Sequence, residues 1–121
     1  MTEEQNPKRY DLEDRTFAFA QRVRVFAKRL PMTLANIEDI KQVVRASGSV
    51  GANYIEANEA LSKKDFILRI KISRKESKEC RYWLRLIDPG EGNDAAHERE
   101  SLVQESTELM KIFGSILRKS E

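Results

Sequence analysis

The chain has 121 residues, 40% of them hydrophobic and 35% charged, with a net charge of +2. That length fits one domain, able to bury roughly two-thirds of its unfolded surface. One cysteine excludes an internal disulfide, and three prolines and five glycines are too few for a turn-rich β fold. So much charge suits long, two-faced helices.

The opening MTEEQNPKRY is polar and carries no apolar signal core. Residues 1–10 read as a frayed, flexible lead, and residues 11–121 as a single domain. No apolar run approaches the ~20 residues that a membrane span needs. The expectation is a cytoplasmic protein with no membrane partner.

From Leu12 a helical period begins, with Leu12, Phe19, Val23, Phe26 and Leu30 on one face. Arg15, Arg22 and Arg29 recur on a flank of that face. Pro31 stops the helix, because the residue before a proline avoids the α region.

Residues 31–34 form a short connection. The second helix is expected from about Ala35 to about Leu61, with Ile37, Ile40, Val44, Tyr54 and Leu61 among its apolar positions. Its middle is small: Ala46, Ser47, Gly48, Ser49, Gly51 and Ala52. Glycine costs about 1 kcal/mol against alanine inside a helix, so these glycines need a reason. Either another helix approaches closely here, or the helix kinks or breaks. Apolar periodicity resumes at Val50 and Tyr54, which favours one continuous helix.

Ser62 followed by Asp65 has the form of a helix start, a capping hydroxyl with an acid in the first turn. The third helix runs from about Lys63 to Asp88. Phe66, Ile70, Ser73, Ser77, Cys80, Leu84 and Ile87 make a heptad-like seam, small in the middle. An antiparallel pair would cross closely at Ser47–Gly51 and Ser73–Ser77. The run from Pro89 to Asp94 is the clearest turn in the chain. The last helix, from about Ala95 to Lys119, carries Leu102, Leu109, Met110, Phe113, Ile116 and Leu117. The architecture predicted is all-α, an antiparallel up-down-up-down four-helix bundle with left-handed, coiled-coil-like packing.

The third helix has two faces besides its seam. Lys71, Arg74, Lys78, Arg81 and Arg85 form a basic stripe, stepping by three and four. Leu68, Ile72, Trp83 and Leu86 form a second apolar stripe, with Glu76 and Glu79 between them. One stripe per helix suffices for a bundle. The second either joins a broad core or marks an oligomer interface anchored by Trp83. Charge is uneven as well: residues 63–88 have a net charge of +5, and residues 89–121 have −3. Such asymmetry fits a polyanion partner, another copy of the chain, or opposed helix faces within one bundle.

No catalytic motif is present. His97 is the only histidine, without a nearby Cys or His to build a zinc site. Cys80 lies on the core seam, where cysteine acts as a small apolar residue. Gly48–Gly51 lies inside a helix pattern and not after a strand, so it is no phosphate loop. Di-iron bundles need Glu-x-x-His motifs, which are absent. Glu56 shares a polar stripe with Arg45, Ser49 and Asn53, and a structural role suits that stripe. The reading is non-enzymatic, with no cofactor and no metal.

The residues that carry a family resemblance are Phe26–Ala27 with Leu30–Pro31, then Arg45, Ser47, Ser49, Gly51, Ala52, Asn53 and Glu56. They continue with Lys64–Asp65–Phe66, Ile72, Glu76, Glu79 and Tyr82–Trp83–Leu84 with Leu86. Over about residues 12–118 the chain resembles the bacterial four-helix-bundle proteins first described as products of intervening sequences within 23S rRNA genes, also labelled S23-type ribosomal proteins. Asn58 departs from members that have glycine after the Glu, which leaves the exact end of the second helix open. The resemblance implies a left-handed bundle in a homo-oligomer, commonly a pentamer. It also implies similarity to the accessory protein of diversity-generating retroelements, a basic ring that binds nucleic acid. It carries no catalytic residues.

Two functions remain in competition. One is a homo-oligomer that binds structured RNA or DNA through Lys71, Arg74, Lys78, Arg81 and Arg85, together with Arg15, Arg22 and Arg29. Its binding would be to phosphates and salt-dependent. The other is a scaffold that binds another protein through its apolar faces, with no nucleic-acid role. A bundle-core enzyme is the third and weakest reading.

Overall fold

The computed structural model describes residues 7–121, with side chains from residue 12 onward. The described residues form four helices: α1 (Pro7–Ala27), α2 (Leu34–Asn58), α3 (Lys63–Leu86) and α4 (Asp94–Ser120). The described residues contain no strand. Each helix packs on its neighbours in sequence, and α4 returns to α1.

Side-chain pairs fix the directions. Asn58 donates to Glu13 and Gly48 lies near Arg24, so α1 and α2 run antiparallel. Arg45 reaches Glu79, Ser73 donates to the Val50 carbonyl and Arg69 donates to Asn53, so α2 and α3 do too. Arg99 donates to the Ile87 carbonyl while Arg74 lies near Gly114, which sets α4 against α3. Arg15 with Glu105 and Arg22 with Glu98 close the ring. The order is therefore up-down-up-down.

Helix ends follow local chemistry. α1 begins at Pro7, earlier than the period at Leu12, because proline suits a first turn, where no amide is needed. Of the lead expected over residues 1–10, residues 1–6 lie outside the described residues. Thr33 caps α2 by accepting from the Asn36 amide at 3.1 Å, and Ser62 caps α3 by accepting from the Asp65 amide at 3.0 Å. α2 passes through Gly48 and Gly51 without a break. It ends at Asn58, three residues short of expectation, where the Glu59 and Ala60 amides bond back to Glu56 and Ala57. Leu61 is not an apolar helix position: it is fully exposed in the connection. Gly90 and Gly92 take φ values of +82° and +94° in the α3–α4 turn, a region that suits glycine alone.

The core holds the expected α1 face of Leu12, Phe19, Val23, Phe26 and Leu30. It also holds Ile70, Cys80, Leu84 and Ile87 of the α3 seam and its terminus, and Leu102, Leu109, Phe113 and Leu117 of α4. On α2 the expected Ala46, Ser47, Val50 and Tyr54 are buried together with Asn36, Val43 and Ala57, while Ile37, Ile40 and Val44 are half-buried. Asn36 is a polar side chain at a core position. Its Nδ2 donates to the Pro31 and Asp88 carbonyls, and its Oδ1 accepts from the Asp88 amide. One side chain thus fastens the α1–α2 connection to the end of α3.

The small middles of α2 and α3 meet as expected. Ser47, Ser73 and Ser77 are fully buried, and Ser73 Oγ donates across the pair to Val50 at 2.9 Å. Gly51 answers a different neighbour. A Cβ there would lie 2.9 Å from Thr16 Oγ1 and 3.2 Å from Thr16 Cβ, so the close approach is to α1 and not to α3.

Candidate functional site

α3 is one uninterrupted helix of 24 residues, so its basic stripe is held in a straight register. Lys71, Arg74, Lys78 and Arg85 are exposed and Arg81 is half-buried. None of the five has an ion pair or hydrogen bond to a described residue. Residues three and four apart on a helix are neighbours, so these like charges repel one another. An anion laid along the stripe relieves that repulsion.

Arg15 and Arg22 of α1 and Arg29 of the following connection divide. Arg15 donates to both oxygens of Glu105, at 2.7 and 2.9 Å, and to Glu108 at 2.7 Å. Hydrogen bonding to Glu105 holds its guanidinium pKa above the ordinary value, against the effect of partial burial. Arg22 reaches Glu98 at 3.3 Å and Ser101 at 2.7 Å. These two therefore stitch α1 to α4 and leave little charge for a ligand. Arg29 stands exposed, away from these pairs.

Two further cations join the α3 stripe from α4. Lys111 and Arg118, with Met110 and Gly114, face Arg74, Lys75 and Lys78 across a cleft of about 460 Å³. Sequence reasoning missed them because the net negative charge of residues 89–121 masks a local basic patch. The spacing Lys111, Gly114, Arg118 places all three on one α4 face, and that was the signal available.

The second apolar stripe of α3 is split. Leu68 and Leu86 are half-exposed, at 53% and 51%. Ile72 is half-buried, and Trp83 packs partly against the core. Tyr82 meets Trp83 edge-on, with ring centroids 5.1 Å apart, and leaves most of its ring outside. The acids within the stripe find partners inside the chain. Arg45 of α2 lies 3.7 Å from Glu76 and 3.6 Å from Glu79, and Lys75 lies 3.3 Å from Glu79. This stripe thus runs along the α2–α3 seam, and Leu68, Tyr82 and Leu86 are what it offers outward.

A separate shallow groove lies between α1 and α2, floored by Gly48, Gly51 and Ala52 and walled by Phe17 and Ile55. His97 is exposed. Cys80 is buried, and burial together with Glu76 and Glu79 pushes its thiol far above the ordinary range, with Arg45 opposing. Such a thiol is no nucleophile. Asn53 bonds Ser49 and Arg69, and Arg45 serves Glu76 and Glu79, so that polar stripe is structural; Glu56 is exposed beside it. Among the described residues no group of His, Cys, Asp and Glu is arranged to hold a metal ion. No helix there is long and apolar enough to cross a membrane.

Comparison with known proteins adds a family. A family model described as 23S rRNA-intervening sequence protein matches residues 8–115. A crystal structure of a protein of unknown function from the S23 ribosomal protein family of Bacteroides thetaiotaomicron matches at 31% sequence identity and a TM-score of 0.73. The match covers 92% of this chain and 98% of that one. No curated protein matches.

Proposed function

The chain belongs to the 23S rRNA-intervening sequence protein family, and from that premise we propose that it is a non-enzymatic homo-oligomer that binds nucleic acid through the basic face of α3. The observation that carries this reading is that Lys71, Arg74, Lys78, Arg81 and Arg85 have no carboxylate partner among the described residues. Elsewhere on the helix Arg69 has Asp65 and Lys75 has Glu79, while Lys63 and Lys64 stand exposed at its start. A helix that neutralises one side and leaves five cations on another presents a phosphate-binding surface. Arg29 is exposed and outside these pairs, while Arg15 and Arg22 are engaged with α4.

Binding of this kind reads phosphates and not bases, and it weakens steeply with salt. Assembly multiplies it. The resemblance implies a pentamer, and Leu68, Tyr82 and Leu86 supply exposed apolar area for subunit contact.

The test is fluorescence anisotropy with a structured RNA at low and physiological salt. Affinity should fall at least ~100-fold between the two, as expected for several phosphate contacts. Lys71→Glu/Arg81→Glu/Arg85→Glu should abolish binding without loss of helicity. Absence of binding at low salt favours the second reading, a protein scaffold, for which the Phe17–Ile55 groove is the specific observation.

A further inference from the structure

The basic face is not uniform. Where α4 joins it, the stripe becomes a cleft, and the cleft differs from the rest in three ways.

Its charge is concentrated. Arg74, Lys78, Lys111 and Arg118 line one space, and among the described residues no carboxylate lines it. Lys75 stands there too, but its ammonium lies 3.3 Å from Glu79. Lys111 acts on Glu108, one turn away on α4, through its charge but without an ion pair. Four cations therefore line one volume with no carboxylate among its lining residues.

Its size suits a small molecule. About 460 Å³ lies within the roughly 300–1,000 Å³ typical of ligand sites. A diester backbone brings a single charge per nucleotide and would leave most of these cations unmatched. A group with several charges on adjacent phosphorus atoms would match them.

Its floor is a glycine without a packing reason. Gly114 is buried in the interior of α4, where glycine is the poorest helix former apart from proline. A Cβ there would meet only Arg118 Nη1 at 3.6 Å and Arg74 Cδ at 3.9 Å, ordinary contact distances. Alanine would fit and hold the helix better. Gly51, by contrast, is required by Thr16. What a Cβ at Gly114 would take up is the room between the Arg118 guanidinium and the Arg74 side chain.

We propose that the α3–α4 cleft is a discrete binding site for a compact polyphosphate, the di- or triphosphate of a free nucleotide or of an RNA 5′ end. Arg74 and Arg118 present planar forks that bind phosphate oxygens in pairs, and Lys78 and Lys111 add point charges. For an RNA end the site rests on the nucleic-acid reading above; for a free nucleotide it stands without it.

Titration calorimetry of the full chain with inorganic tripolyphosphate, at physiological ionic strength, tests the site. Saturable binding with one site per chain is expected, at least ~10-fold tighter than orthophosphate. Lys111→Ala/Arg118→Ala should weaken it at least ~10-fold, and Arg85→Ala, outside the cleft, less than ~2-fold. Gly114→Ala should melt higher than wild type yet bind less tightly, which separates the cleft floor from fold stability. No saturable binding, or equal losses from Arg85→Ala and the cleft variant, overturns the proposal.

The source is read from competition against labelled tripolyphosphate by ATP and by one RNA carrying a 5′-triphosphate or a 5′-hydroxyl. A triphosphate RNA that competes far better than its hydroxyl form and than ATP makes the RNA end the ligand. ATP competing as well as the RNA makes it a free nucleotide. Hydroxyl RNA that binds while tripolyphosphate does not would remove the cleft and keep the nucleic-acid face. The converse would keep the cleft and remove the face.

Discussion

Thr16 of α1 and Gly51 of α2 touch so closely that no side chain fits between them. A Cβ on Gly51 would stand 2.9 Å from Thr16 Oγ1, and that hydroxyl is itself fixed by bonds to the Leu12 and Glu13 carbonyls. Gly51→Ala gains about 1 kcal/mol of helix propensity and loses more to overpacking. A net destabilisation of about 1 kcal/mol is expected for alanine and about 3 kcal/mol for leucine. Urea unfolding measures both. Thr16→Ala should cost less in the Gly51→Ala protein than in the wild type, because the clash is shared.

Asn36 should prove the most sensitive polar residue. Asn36→Ala strands two carbonyls and one amide, those of Pro31 and Asp88. The expected loss is about 2–4 kcal/mol. Asn36→Asp keeps the volume but sets a carboxylate against both carbonyls, so it should destabilise at least as much. An isosteric replacement with wild-type thermal stability would show that the two connections hold without it.

Arg45 guards a buried acid. The Glu76 side chain is 8% exposed, its Oε2 lies 3.7 Å from Arg45, and its Oε1 has no hydrogen-bond partner. Arg45→Met should cost about 1–2 kcal/mol, less than a fully buried pair because Arg45 is half-exposed and Lys75 remains nearby. Adding Glu76→Gln removes the stranded charge and should restore part of that loss. If the double variant is the less stable one, the acid has a role that the arginine does not explain.

The α1–α4 seam should be acid-sensitive. Hydrogen bonds from Gln104 and Arg15 hold the Glu108 carboxyl below its ordinary value of 4.5. A depressed carboxyl contributes stability above its unfolded value and loses it as pH falls through the folded one. Arg15→Gln should therefore narrow its gap to wild type in urea midpoint between about pH 7 and about pH 3. A gap that stays constant would mean that the pair contributes nothing to pH dependence.

Much of this was legible in the sequence because α1, α3 and α4 carry apolar residues at steps of three and four, and most of those positions are buried, with Phe66, Met110 and Ile116 half-buried. The Ser62 cap and the Pro89–Asp94 turn were legible for the same local reason. α2 was harder. Its core face includes Asn36, which hydropathy reads as surface, and Leu61 continued the period past the point where the backbone turns. The basic stripe of α3 could be read from spacing alone. The roles of Arg15 and Arg22 could not, since their carboxylates lie 76–93 residues away in sequence. Nor could the cleft, which needs Lys111 and Arg118 brought beside Arg74.

The ring of helices is not equally tight all round. α2 and α3 share the densest contact, and α1 meets α4 along the sparsest. Arg15 and Arg22 with their carboxylates tie that seam, and dissolved ions weaken such bonds. The bundle should therefore open as three helices plus one. Amide hydrogens of α1 should exchange first, through a partial opening that leaves the α2–α3 hairpin closed. Added salt should speed that exchange in α1 while barely touching α3. The same asymmetry predicts that α1 joins last in folding, so that apolar truncations at Val23 and Phe26 should speed unfolding more than they slow folding.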